Sequence, residues 1–124
     1  MLTDDKLTDD VLVVEDEFLI AELLSGMVED MGLVVCGNAA TADDALALAV
    51  RPRPRFVLMD VRLRGAKDGV DAAIAIHREV GSHVIFITGS REPGTVARIQ
   101  ADHAFAVLFK PIMFTQLRAA MQRG

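Results

Sequence analysis

Short unbroken apolar runs along this chain alternate with longer stretches in which apolar residues return every three or four positions. "VLVV" (11–14) stops on Glu15 and Asp16 and is followed by "FLIAELLSGMVEDMG", where Ile20, Leu23, Leu24, Met27, Val28 and Met31 fall at helical spacing. Gly32 supplies a natural stop for that helix. "LVVCGN" reads as a second strand, and "TADDALALAV" as a helix opened by Thr41, with Asp44 three residues on in capping-box register. After "RPRPR" the alternation resumes: strand "FVLM", helix "DGVDAAIAIHREVG", strand "HVIFIT", helix "PGTVARIQAD" with proline in its opening turn, strand "AFAVLF", and a last helix within "KPIMFTQLRAAMQRG". That makes five β–α units. The strands are continuous apolar runs rather than alternating ones, as in a parallel sheet covered on both faces. The expectation is an α/β domain with a five-stranded parallel sheet and helices on both sides, spanning 11–124 behind an acidic lead at 1–10.

Composition narrows the functional classes. The chain has 124 residues, 52% of them hydrophobic, enough for one domain with a sizeable core. The net charge of −5, with Asp4, Asp5, Asp9 and Asp10 crowding the lead, argues against direct nucleic-acid binding. The basic cluster Arg51–Arg55 reads as a solvated loop. A single cysteine, Cys36, builds no disulfide framework and reads as a small core residue. No apolar run approaches the ~18 residues of a membrane span, and no signal-peptide pattern opens the chain. The expected location is the cytoplasm, without membrane contact.

The strand ends carry the chemistry, because ligands of open parallel sheets sit beyond the carboxyl ends of the strands. The first strand ends in Glu15 and Asp16, the third in Asp60, the fourth in Thr88, and the fifth in Lys110 followed by Pro111. If the first and third strands are neighbours, three carboxylates converge and repel one another unless a cation relieves them. Such an all-oxygen cluster suits Mg²⁺. A lysine and a threonine hydroxyl beside it would complete a site for a phosphoryl group, with a carboxylate able to act as nucleophile.

The sequence resembles the receiver domain of bacterial two-component response regulators. "VLVVEDE", "FVLMDVRL", "DGVDAA", "VIFITG" and "LFKP", in that order and at suitable spacings, carry the resemblance over nearly all of 11–123. It implies a flavodoxin-like (βα)₅ fold with strand order 2-1-3-4-5. Asp60 matches the aspartate phosphorylated by a histidine kinase or a histidine phosphotransfer protein. Glu15 and Asp16 match the acidic pair that binds Mg²⁺, or Mn²⁺ in its place, Asp16 being the usual direct ligand. The backbone carbonyl that completes the metal set falls at Arg62. Thr88 matches the switch hydroxyl, Lys110 the lysine that pairs with phosphate, and Pro111 the proline that often follows it through a cis bond. Because the chain ends about a helix after Pro111, the expectation is a stand-alone, single-domain signalling protein, the alternative being a fragment of a longer one. It would carry out its own phosphotransfer and dephosphorylation and reach a downstream protein through the fourth helix, fifth strand and fifth helix. Pairing with a second copy is left open.

Some positions depart from the family. The switch aromatic three residues before the lysine is replaced by Val107, while Phe105 lies two residues earlier with the same strand parity. The loop "VRLRGAKDG" lacks the common Met-Pro and is about one residue longer than its usual form. Arg62 and Ser90 occupy positions that in the family tune loss of the phosphoryl group.

Taken singly, each site residue has an ordinary explanation: Asp60 a turn acid, Glu15 and Asp16 caps of the next helix, Thr88 a strand residue, Lys110 a surface lysine. Jointly those explanations are poor. Asp68 reads as a helix N-cap with Gly69 giving a tight start, and His77, His83 and His103 share no metal-ligand spacing. Met113, Phe114, Leu117 and Met121 read mostly as core. Two rivals remain. One is a receiver-like interaction module that is never phosphorylated, kept alive by Val107. The other is an aspartate-nucleophile phosphatase of the haloacid dehalogenase type, weakened because Arg62 stands where a second aspartate is needed.

Overall fold

The computed structural model describes residues 6–89, 93–101 and 105–123; Ser90 and His103 lie outside them. The chain runs β1 (Thr8–Val14), α1 (Phe18–Asp30), β2 (Val35–Ala39), α2 (Ala42–Val50), β3 (Pro54–Asp60), α3 (Gly69–Glu79), β4 (His83–Thr88), α4 (Pro93–Ala101), β5 (Ala106–Phe109) and α5 (Phe114–Gln122). All four strand pairings are parallel, in the order β2-β1-β3-β4-β5. Fold class and strand order are those expected from the apolar runs and the family resemblance.

The central strands are apolar throughout because both of their faces are covered. Leu12, Val14, Val57, Met59 and Phe86 pack with Ala45, Ala49, Ile76 and Ile99 from α2, α3 and α4. Val11, Val13, Leu58, Ile85 and Ile87 pack with Leu24, Val28, Leu117 and Met121 from α1 and α5. The fold is therefore a three-layer sandwich with two cores divided by the sheet.

Several boundaries differ from the sequence pattern for physical reasons. β1 begins at Thr8, ahead of its apolar run, because backbone pairing needs no apolar side chain: Thr8 N–H donates to Arg53 O at 2.9 Å, and exposed Asp9 meets Arg55 at 3.3 Å. "RPRPR" is not simply a solvated loop. Arg53 sits in the left-handed region (φ 52°) with its guanidinium on Val80 O at 3.2 Å, and Pro54 opens β3, a strand position that needs no N–H. Thr41 caps α2, its hydroxyl accepting from Asp44 N–H at 3.1 Å. Asp68 caps α3 as expected, in a full reciprocal box with Asp71.

Two apolar assignments shift. The buried stripe of α1 is Ala21, Leu24 and Val28, with Ile20, Met27 and Met31 at its margins, while Leu23 is 55% exposed. Met113, expected mostly in the core, is 61% exposed at the N-cap of α5, leaving Leu117 and Met121 to fill the interior. Neighbouring leucines on α1 should thus behave oppositely. Leu24→Ala is expected to cost about 2–5 kcal/mol in denaturant unfolding, and Leu23→Ala to stay within about 0.5 kcal/mol. Equal losses would place the stripe where the periodicity alone puts it.

Candidate functional site

Strand order places the site. The chain turns from β1 to β2 on one side and reaches β3 on the other, so the crevice between neighbouring crossovers opens beyond the carboxyl ends of β1 and β3. Val14 pairs with Met59, which sets the next residues, Glu15 and Asp60, side by side. Asp60 pairs with Ile87 and Thr88 with Phe109, so Thr88 and Lys110 follow at the same rim. Carboxylate oxygens of Glu15, Asp16 and Asp60 lie within 4.8 Å of one another.

Glu15 holds several groups at once. Its Oε2 accepts from Glu17 N–H at 3.0 Å at the start of α1, and its Oε1 receives Lys110 Nζ at 3.0 Å. One fully buried carboxylate thus both accepts from the backbone that opens α1 and pairs with the lysine at the end of β5. Lys110 Nζ also stands 3.7 Å from Asp60 Oδ1. Arg62 N–H approaches Asp60 Oδ1 at 3.4 Å. Thr88 is 2% exposed, and its carbonyl accepts from Lys110 N–H at 2.8 Å, fixing the lysine backbone to the end of β4. The Lys110–Pro111 peptide is cis. Asp16 is half-buried beside them.

Burial and the charge of Glu15 push the Asp60 carboxyl up to about 7, against the opposing pull of Lys110. Burial also works to raise Glu15, but the Glu17 N–H and Lys110 outweigh it and hold that carboxyl below the usual range. Burial would lower Lys110, and its contacts with Glu15 and Asp60 instead hold it above the ordinary lysine value. Three hard oxygen donors with more negative charge than one ammonium offsets are a donor set suited to a small divalent cation.

Gly69 contributes something its place after Asp68 only hinted at. Its N–H donates to Val61 O at 2.7 Å, and a Cβ there would overlap the carbonyl oxygen of Asp60 and lie 2.9 Å from Val61 Cα. The start of α3 thus rests on the backbone of Asp60, and only glycine permits that approach. Nor did the sequence mark Arg98 of α4. Its Nη1 reaches Asp68 Oδ2 at 2.7 Å across a separation of 30 residues.

Phe105 does not take up the place left by Val107. Its ring lies on the α1–α5 side, 6.0 Å from the Phe56 ring and 4.5 Å from His83, with the Arg123 guanidinium 5.5 Å above it. Phe56 and His83 pair near the starts of β3 and β4, so this group stands at the end of the sheet away from Asp60. Val107 pairs with Phe86 and packs on the opposite side. Phe105 precedes β5, its N–H donating to Val84 O at 3.0 Å, and its ring falls on the same side of the sheet as Ala106 and Leu108.

The family model for the response regulator receiver domain matches residues 11–122. The chain belongs to that family. It is 32% identical over 112 residues to the transcriptional regulatory protein PdtaR of Mycobacterium tuberculosis, covering 90% of this chain and 54% of that protein. It is 37% identical over 84 residues to the phyllosphere-induced regulator PhyR of Methylorubrum extorquens, covering 67% of this chain and 32% of that protein. The receiver thus spans about half the length of the first relative and a third of the second. Among solved structures, the signal receiver domain of a modulated diguanylate cyclase from Desulfovibrio desulfuricans superposes with a TM-score of 0.87 at 32% identity, covering 92% of this chain and 90% of that one. No helix among the described residues is long and apolar enough to cross a membrane.

The raised Asp60 carboxyl has a consequence for stability. A group that binds its proton more tightly folded than unfolded contributes stability that is fully present below its ordinary value, near 4, and lost as pH rises through about 7. Asparagine carries no such charge. In EDTA, Asp60→Asn is expected to raise stability by on the order of 1–3 kcal/mol at pH 8 and by much less at pH 5, read from thermal melts. A gain independent of pH would show that ionisation of Asp60 is not what the fold resists.

Proposed function

We propose that this receiver accepts a phosphoryl group on Asp60 from the phosphohistidine of a histidine kinase or histidine phosphotransfer protein. The observation that carries the reading is the meeting of Asp60, Glu15, Asp16 and Lys110 at one rim of the sheet. In the transfer, an Asp60 carboxylate oxygen forms a bond to phosphorus as the imidazole nitrogen–phosphorus bond breaks, and the departing imidazole keeps its electron pair and takes up a proton. Lys110, already 3.7 Å from Asp60, would pair with a phosphoryl oxygen, and the Thr88 hydroxyl would donate to another. Because Lys110 is also shared with Glu15, it is held in place before the phosphoryl group arrives. Asp16, Glu15, Asp60 and the Arg62 carbonyl would hold Mg²⁺ or Mn²⁺. When bound, the ion neutralises charge on the acidic cluster and on the phosphoryl oxygens.

The new charge of roughly −1.5 to −2 would draw Lys110 and Thr88 toward it and bias the α4–β5–α5 surface, through which a downstream protein would be contacted. Loss of the phosphoryl group to water would reset the domain. The reading favours protein partners over direct nucleic-acid contact, on the net charge of −5. A non-phosphorylated interaction module is the second reading, favoured by Val107 where a ring would swing.

Intact mass after incubation with Mg²⁺ and acetyl phosphate separates the two. A single phosphoryl adduct that vanishes in Asp60→Asn is expected, whereas no adduct with acetyl phosphate or a cognate phosphodonor leaves the interaction module. A second measurement concerns the metal. Asp16→Ala should weaken Mg²⁺ binding about tenfold or more, and more than Glu15→Ala, since Glu15 is already engaged by Lys110 and the Glu17 N–H. Equal or reversed losses in a Mg²⁺ titration would overturn the assignment of Asp16 as the direct ligand.

A further inference from the structure

α4 has few described ties to the rest of the fold, and one of them is polar. Among its described side chains only Ile99 is buried. Arg98, next to it, extends to the start of α3: Nη1 donates to Asp68 Oδ2 at 2.7 Å, while Nη2 lies 3.5 Å from Asp68 Oδ1 and 3.9 Å from Asp71 Oδ1. An isolated exposed ion pair would mean little. This one grips a carboxylate that is already immobilised. Asp68 Oδ1 accepts from Val70 N–H at 3.0 Å and Asp71 N–H at 3.1 Å, and Asp68 N–H donates to Asp71 Oδ2 at 2.9 Å.

The next residue, Gly69, rests on the backbone carbonyl of Asp60. A continuous set of contacts therefore runs from Asp60 through Gly69 and Asp68 to Arg98 and α4. A cleft of about 290 Å³ that opens to the surface is lined by Val61, Arg62, Asp68 and Arg98, so the loop behind Asp60 and Arg98 border one space. The route through β5 is poorer, because Val107 has no ring to change position and Phe105 lies at the far end of the sheet.

We propose that Arg98 is the positioning residue through which the state of Asp60 reaches α4, its guanidinium carrying displacements of the 61–68 loop through the α3 cap. This rests on Asp60 being the phosphoryl acceptor. Negative charge at Asp60 that draws in Arg62 N–H shifts the loop and Asp68 with it, and α4 follows because Arg98 holds both oxygens of that carboxylate. Lysine would keep the charge and lose the fork, so it should transmit only part of the movement.

The test is hydrogen-exchange mass spectrometry on the full chain with and without Mg²⁺ and acetyl phosphate, with phosphoryl occupancy read by intact mass in the same samples. In the wild type, phosphorylation should change exchange by at least about threefold in peptides covering both 61–69 and 93–101. In Arg98→Ala, occupancy and the response of 61–69 should persist while the response of 93–101 is lost. Arg98→Lys should restore part of it, and Asp68→Asn, which keeps the capping oxygen but not the charge, should lose it again. A full α4 response in Arg98→Ala, equal losses in the alanine and lysine variants, or no α4 response in the wild type would each overturn the proposal while leaving Asp60 as acceptor. Absence of an adduct in the wild type would overturn the acceptor reading and this inference with it.

Discussion

Two carboxylates, Glu15 and Asp60, lie side by side in the dry rim of the sheet, and one ammonium, Lys110, serves both. Their closeness follows from the pairing of Val14 with Met59, and that pairing follows from placing β1 and β3 at the centre of a parallel sheet. Separating the charges would mean shifting the register, which would also move the apolar residues of a strand to the wrong core. The sheet is thus committed to an unfavourable charge at its mouth. Glu15 stays ionised by combining the Glu17 N–H with Lys110, while Asp60 is left with its proton affinity raised to about 7. A cation or a phosphoryl group bound there would act on an imbalance that the backbone maintains.

Much of this was legible in the sequence, for identifiable reasons. Continuous runs such as "VLVV" and "HVIFIT" can be buried on both faces only in a covered parallel sheet, so fold class followed from pattern. The site residues sit where those runs stop, because polar groups in such a sheet are confined to the strand ends. Other features were hidden because they depend on backbone or on distant pairs. Thr8 joins β1 through a backbone contact with Arg53 that no side-chain pattern reports. Gly69 matters for what a Cβ would strike on Asp60, nine positions earlier. Arg98 and Asp68 meet only after the sheet has formed. Leu23 shows the converse error, an apolar residue at helical spacing that falls outside the buried stripe of Ala21, Leu24 and Val28.

Phe105 shows how parity misleads at an element's edge. Alternation holds only within a regular strand, and one residue before β5, with its N–H still bonded to Val84 O, the chain places this ring beside Phe56 and His83. The resulting aromatic group, roofed by Arg123, belongs to the stabilising end of the molecule rather than to its chemistry.

That arrangement gives the two ends of the sheet opposite characters. At the amino end, the Phe56–His83–Phe105 rings, the Arg55–Asp9 pair and the Arg53 contact with Val80 tie neighbouring segments together with groups that the charge of Asp60 does not reach. At the carboxyl end lie the loops, the glycine contact and the shared lysine. A change of charge at the mouth would thus act on the rim built from loops, while the opposite rim is cross-linked by rings and ion pairs that take no part in the site.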